Sequence, residues 1–367
     1  MKKMIKIISH PKIFVYTVIW LMVLTVLGTI SQRDIGLYAS QQKFFSSYIT
    51  WFKDSIPMPG GRLTMIVILV NLMSMLFKPN IWKLKKIGII IVHIGAVLLF
   101  IGAGVTAIFS YEGNVVIKEG SQSNHMSDYH NMELAIVNTS KIDFNEYTVF
   151  DQPLLIKGSK LEHESLGFTV EIMEYYNNCQ VVRRVEPFQT PYEGMLKNFD
   201  IMELNLEKEN TQNRSGIIFK ISNIDHNRDG IFGLVLGQPV TQTATINNQK
   251  FDFLFQKKRT YLPFSIELID FKKVLHPGTD IAKSFSSEIN LIENGVPRRV
   301  LIKMNEPLRH RGYTFFQASF IEDQEGESTV LATVKNYGRL FPYVSSIIMA
   351  LGLLMHLFIN LPNLLRK

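Results

Sequence analysis

Residues 87–109, IGIIIVHIGAVLLFIGAGVTAIF, hold no Asp, Glu, Lys or Arg. A spanning helix needs about 20 predominantly apolar residues, so this run is long enough to cross a bilayer. It constrains everything else, because backbone inside lipid must satisfy its own hydrogen bonds as helix or closed barrel. Three further apolar runs follow the same logic: Phe14–Ile30, Leu63–Phe77 and Tyr343–Ile359. Leu63–Phe77 is short, and Gly60, Gly61 and Arg62 extend it if Arg62 snorkels. The basic start MKKMIKIISHPK resembles a signal-peptide n-region, but the apolar stretch after it is long and no A-x-A site follows. It reads as an uncleaved helix.

The chain is 367 residues with a net charge of +7. Much of the basic excess sits beside the apolar runs, which speaks for orientation and against a nucleic-acid partner. Lys2, Lys3, Lys6 and Lys12 precede the first run; Lys78, Lys83, Lys85 and Lys86 crowd the turn between the second and third; Arg366 and Lys367 end the chain. The loop between the first two runs balances Arg33, Lys43, Lys53 and Arg62 with Asp34 and Asp54. Both termini are therefore expected in the cytoplasm, with that loop and the polar middle of the chain outside. The expected organisation is a three-helix membrane region over 1–109, an extracytoplasmic β-rich domain over 110–339, and a fourth transmembrane helix with a short cytoplasmic tail over 340–367.

The middle region reads as strands. KFDFLFQ alternates aromatic and polar residues as a half-buried strand does. Asn294-Gly295 is a strong hairpin dipeptide between LIE and VPRRVLIKM. A sandwich or distorted barrel is expected. DHNRDG, Asp225–Gly230, begins like a calcium loop, but position 236 is Leu where the bidentate Glu belongs, so it reads as a turn. His125, His130, His163, His226, His276 and His310 lack metal-ligand spacing and read as surface or turn residues. The single Cys179 excludes an internal disulfide and a C-x-x-C site, and reads as a small semi-buried residue.

Two histidines lie inside apolar runs. His93 is seven residues past Lys86, about 10 Å into its helix. His356 is ten residues before Arg366 and lies at a similar modest depth from the same side. Ionisable residues in a membrane are costly and suggest function. At about 100° per residue, Phe100 and Gly104 fall within about 20° of His93, and Ala96 and Ala107 within about 60°. That face has room for a flat ring. Gly88, Gly95 and Gly102 form a separate stripe suited to close helix packing, and Met349 and Gly352 share the face of His356. Neutral imidazole is a usual haem-iron ligand. Taken alone, these residues allow a haem site, an internal bis-His pair, or histidines that only bond a neighbouring carbonyl.

HIGAVLLFIGAGVT, YEGNVVIKEG, LHPGTDIAKSFSSEINL and NEPLRHRGYTFFQASF, in that order, resemble the ResB (CcsB) family of system II cytochrome c biogenesis proteins, also seen as the N-terminal half of fused CcsBA proteins. The layout of three helices, a large outside domain and a fourth helix is similar too. The resemblance implies a multi-pass protein of the bacterial cytoplasmic membrane, with its large domain periplasmic or extracytoplasmic. It implies a subunit that carries haem b, bound transiently, across the membrane together with a CcsA-type protein for attachment to apocytochrome c. It implies that His93 is an axial ligand of the haem iron, and that the second ligand and a tryptophan-rich WWD segment belong to the CcsA-type partner. Trp20, Trp51 and Trp82 are scattered here, so the chain carries no such segment and no complete active site for haem attachment. Membrane lipid and thiol-reducing proteins join the expected partners. The competing expectation is a b-type electron carrier that uses both His93 and His356.

Overall fold

The computed structural model describes residues 2–52, 55–78, 81–141, 144–184, 191–222, 230–238, 241–324 and 326–365. It divides into two compact units, Met1–Tyr111 with Lys335–Lys367, and Glu112–Val334.

The first unit is helical. In chain order it contains α1 (Lys2–Ile8), α2 (Pro11–Ile35), α3 (Leu37–Ser40), a π-turn over Gln41–Phe45, the hairpin β1 (Ile49–Phe52) and β2 (Ile56–Pro59), α4 (Gly61–Leu76), α5 (Ile87–Phe109) and α6 (Phe341–Leu365). His10 caps α2, its Nδ1 accepting the Lys12 amide at 3.2 Å, and Pro11 occupies the first turn, where no N–H is needed. Among the described residues, three helices are long and apolar enough to cross a membrane: Pro11–Ile35, Leu84–Phe109 and Phe341–Leu361. The fourth expected span, Leu63–Phe77, forms a helix of only 16 residues. At 1.5 Å per residue that is about 24 Å, short of the ~30 Å hydrocarbon core.

The stripe of Gly88, Gly95 and Gly102 packs against α6. A methyl group on Gly88 would meet the His356 amide nitrogen at 2.5 Å, and one on Gly95 would meet Met349 Cγ at 2.6 Å. In return, one on Gly352 would meet the Val92 amide nitrogen at 2.8 Å. Small residues let the two backbones touch, which is how helices associate without a hydrophobic driving force between them. The other side of α5 packs on α4 through Val97, with Ile68 and Leu72, and with Leu21 of α2 beside them. Asn71 on α4 donates to the carbonyls of Ile8 (2.5 Å) and His10 (3.2 Å), and Lys78 donates to that of Ser9 (2.7 Å), pinning the elbow between α1 and α2.

The second unit is the β-rich domain. Its strands are β3 (Tyr111–Lys118), β4 (Gln122–Asn138), β5 (Glu146–Asp151), β6 (Lys160–Leu161), β7 (Thr169–Tyr176), β8 (Cys179–Arg183), β9 (Phe199–Glu203), β10 (Gly216–Ser222), β11 (Gly230–Val235), β12 (Gln242–Ile246), β13 (Gln249–Leu275), β14 (Ala282–Glu293), β15 (Val296–Lys303), β16 (Leu308–His310), β17 (Tyr313–Asp323) and β18 (Gly326–Lys335). One sheet runs β11-β10-β7-β6; a large one runs β15-β14-β13-β4-β3-β18-β17-β16, with β5 on β4 and β12 on β13.

Two main cores share β13. Phe251, Phe253 and Phe255 enter the first, beside Phe219 and Phe232. Leu262, Phe264, Ile266 and Leu268 enter the second, beside Phe315 and Leu331. The inward set changes from odd to even numbers between them. Two bulges accompany the change. Lys257 faces Met132 and Arg259 faces Ser127, so β4 carries Asp128–Asn131 opposite Lys258. Tyr261 faces His125 and Ile266 faces Ser123, so β13 carries Leu262–Ser265 opposite Asn124. Extra residues re-aim a strand and turn a different set of side chains inward. A third, smaller cluster holds Cys179, Leu196, Ile201, Ile231 and Val235.

Candidate functional site

His93 lies one turn from Ala96 and Val97 on the α4-facing side of α5. Its Nδ1 sits 2.8 Å from the Ile89 carbonyl oxygen. A carbonyl only accepts, so Nδ1 is the donor in this contact, and in a neutral ring Nε2 is the nitrogen left to accept. This tautomer is the one a metal-ligating imidazole needs, with its other nitrogen oriented by a carbonyl. The ring is half-buried.

The face around His93 is less open than its small residues suggested. Ala96, Val97 and Phe100 are packed in the cluster with Ile68 and Leu72. Further along, a methyl group on Gly104 would meet nothing within 4 Å. The uncovered part of this face thus lies beyond Phe100.

His356 stands against the glycine stripe, with its backbone on Gly88. The Asn360 side-chain amide donates to its Nδ1 at 3.2 Å and to its carbonyl at 2.8 Å. Gly88 and His93 are five residues apart, so His93 points about 140° around α5 from Gly88. The structure therefore puts the two histidines on different sides of α5 and forms no bond between them. Asn360 and the Ile89 carbonyl were not foreseen as their partners. The Asn lies four residues past His356, one helical turn away, and that spacing was its only signal.

The outer histidines are dispersed. His125 pairs with Tyr261 across β4 and β13, its ring centroid 6.0 Å from the tyrosine's. Burial, then the nearby Arg259 charge, pushes its pKa down. His130 sits in the β4 bulge, where the Asp128 carboxylate accepts the amides of His130 (2.7 Å) and Asn131 (2.8 Å). Its Nδ1 lies 2.8 Å from the Asn210 side-chain amide. Burial lowers its pKa too, against the opposing pull of Asp128. His163 bonds Ser165 at 2.7 Å. His276 lies exposed at the end of β13. Asp225–Asp229 of the calcium-like stretch, His226 among them, lie outside the described residues. Among the described residues no group of three His, Cys, Asp or Glu side chains could hold a metal ion.

His310 belongs to a cluster the sequence did not reveal. Its Nε2 is 3.1 Å from Glu293 Oε2, its ring meets Phe264 edge-on at 4.8 Å, and Arg311 pairs with the other oxygen of Glu293. The tight turn that carries Arg311 and Gly312 has positive φ at both, 46° and 81°. The Glu precedes Asn294-Gly295, so two hairpin turns bring these side chains together.

The ResB-like family matches residues 83–149 and 229–337. The first stretch contains His93, the second contains Glu293, His310 and Arg311, and His356 falls in neither. Protein NrfI of Wolinella succinogenes is 22% identical over 310 residues, covering 79% of this chain and 29% of the relative. The chain thus spans under a third of that relative's length. In its helical and its β-rich regions alike, the sequence carries the pattern of ResB-like proteins.

Proposed function

We propose that this ResB-like chain is a membrane subunit of a system II cytochrome c biogenesis complex, carrying haem b across the bacterial cytoplasmic membrane for attachment to apocytochrome c. The observation that carries the reading is the state of His93. It lies within a family-matched stretch of a spanning helix, and its Nδ1–H is held by Ile89 so that Nε2 is the basic nitrogen. The Lys-rich flanks support a cytoplasmic side for this end of α5, where haem is made available.

In this reading His93 Nε2 ligates the haem iron as cargo, not as a resident cofactor. The Ile89 carbonyl keeps the ring oriented. The second axial ligand comes from a CcsA-type membrane protein, which also supplies the WWD segment that presents haem outside. The β-rich domain lies outside, where apocytochrome c and its thiol reductants meet the complex. An internal bis-His carrier through His356 is disfavoured: the His356 backbone lies against Gly88, about 140° around α5 and about 7.5 Å along it from His93.

The test is the visible spectrum of the chain purified with and without its CcsA-type partner, as wild type, His93→Ala and His356→Ala. Haem seen chiefly with the partner, lost in His93→Ala and kept in His356→Ala, is the expected pattern. Stable haem on the chain alone, lost in either variant, would establish the bis-His carrier instead. No haem band in the complex, or one unchanged in His93→Ala, would end the transport reading.

A further inference from the structure

We propose that one end of the helical unit is a binding surface for anionic phospholipid, with the headgroup phosphate held by lysines of α1 and of the turn that precedes α5. The proposal rests on the crossing of the membrane by α2, α5 and α6 and is independent of the haem reading.

The sequence gathers charge at this end and does not offset it. Segments 1–12 and 78–86 hold eight lysines and no Asp or Glu. The helical unit, 1–111 with 335–367, has two carboxylate side chains, Asp34 and Asp54. Asp34 stands at the far end of α2, about 33 Å along the helix from Lys12. Asp54 follows it in the connection to α4.

The structure joins the two lysine segments. Lys78 Nζ donates to the Ser9 carbonyl at 2.7 Å, and Asn71 Nδ2 donates to the carbonyls of Ile8 and His10. The end of α4 is thus fixed to the elbow between α1 and α2. Beyond it Ile81, 5% exposed, anchors the chain. Lys83 N–H donates to the Ile81 carbonyl and Lys86 N–H to that of Lys83, both at 2.8 Å. The short 3-10 turn Leu84–Lys86 then leads into α5. Lys3, Lys6, Lys12, Lys83, Lys85 and Lys86 are all exposed, and among the described residues none has an ion-pair partner. Cations gathered without counter-charge draw anions.

The neighbouring side chains say which anion. On α1, at about 100° per residue, Lys3 and Lys6 lie about 60° apart, and Met4 and Ile7 form a second such pair beside them. Met4 and Ile7 are 64 and 60% exposed, and Trp82 and Leu84, which flank Lys83, are 68 and 84% exposed. A soluble phosphate would satisfy the lysines and leave these four apolar side chains in water. A phospholipid satisfies both: its phosphate meets the ammonium groups, and its acyl chains meet the apolar side chains. Trp is a residue that settles at that boundary.

The experiment uses the full, haem-free chain in phosphatidylcholine vesicles. Trp82 lies within the proposed surface, and subtracting the emission of Trp82→Phe from that of the parent isolates it. Brominated phosphatidylglycerol and brominated phosphatidylcholine are compared as quenchers at equal mole fraction. Expected is a preference for the anionic lipid of about fivefold or more, the contribution of one or more engaged lysines. It should fall at least about twofold in Lys83→Gln/Lys86→Gln, in Lys3→Gln/Lys6→Gln, and in the parent chain at about 1 M salt. Equal quenching by the two lipids overturns the proposal, and so does a preference that neither lysine pair alters. The salt series needs no lysine variant; if the variants fail to fold, a preference unchanged by salt overturns the proposal. Loss of the preference on adding inorganic phosphate, at an ionic strength held constant with chloride, would assign the lysines to a soluble anion and overturn it too. No haem is present in any arm, so failure of the haem reading would leave these readouts intact.

Discussion

Gly88 and His356 touch backbone to backbone: a methyl group on Gly88 would lie 2.5 Å from the His356 amide nitrogen and 2.7 Å from its Cα. The contact is with main-chain atoms, so the neighbour has no flexible tip to move aside. Gly88→Leu is expected to pry α5 from α6 and cost about 1–3 kcal/mol. His356→Ala keeps the touching atoms and should change stability far less. Thermal unfolding of the two variants in detergent checks both; equal losses would place the contact in the imidazole instead.

Much of this helix pair was legible in the sequence, because Gly88, Gly95 and Gly102 recur at seven and only close packing rewards that pattern. The alternation of Phe251, Phe253 and Phe255 was legible for the same reason: burial on one face leaves a period of two. What the periodicities could not show are the interruptions. The bulges at Asp128–Asn131 and Leu262–Ser265 leave no local mark, since only the pairing of β4 with β13 defines them. The shortness of α4 was also hidden. Its apolar run gives no sign that Gly60 and Gly61 must accept the backbone of Phe45 and Ser47 against them. At the candidate site His93 was visible as a lone imidazole in an apolar helix. Its tautomer and the opposed placement of His356 depend on three-dimensional contacts with Ile89 and α6.

The β-rich domain should lose stability as pH falls below about 6.5. Burial holds the pKa values of His125 and His130 below the ordinary 6.5. The unfolded chain then binds more protons than the folded one between 6.5 and the depressed values, so unfolding gains from acid over that window. Below the depressed values both states are protonated at these sites and their contribution stops changing. His125→Asn should flatten part of the slope when unfolding is followed by tyrosine fluorescence against pH. An unchanged slope in that variant would assign the acid sensitivity elsewhere.

Gln317 should be hard to replace. It lies in the second core, where the Ser287 hydroxyl donates to its Oε1 at 2.6 Å and its Nε2 donates to Thr329 Oγ1 at 2.9 Å. Ser287 and Thr329 are fully buried. Gln317→Leu fills similar space but leaves the two hydroxyls only the 2.8 Å bond from Ser287 Oγ to Thr329 Oγ1, and buried hydrogen-bonding capacity lost in this way costs about 1–3 kcal/mol. The triple variant Gln317→Leu/Ser287→Ala/Thr329→Val removes the under-bonded hydroxyls as well and should recover part of that loss. Denaturant midpoints for the two chains decide the point; if the triple variant is worse than the single one, packing rather than polarity sets the cost.

Cys179 should resist thiol reagents until the chain unfolds. It is buried in the cluster with Leu196 and Ile201, and its Sγ–H donates to the Arg214 carbonyl at 3.2 Å. Burial pushes the thiol pKa up to about 11, with Arg214 pulling the other way. The thiolate is the reacting form, so at pH 8 both access and ionisation are against modification. The pocket for the sulfur is made by Gly216, where a methyl group would come within 2.6 Å of Sγ. Gly216→Ala is therefore expected to push the cysteine out of place and speed its labelling, whereas Cys179→Ala should relieve that clash. Maleimide labelling at pH 8 should be slow in the folded wild type, faster in Gly216→Ala, and complete in denaturant. Rapid labelling of the folded wild type would mean that the sulfur lies outside this cluster.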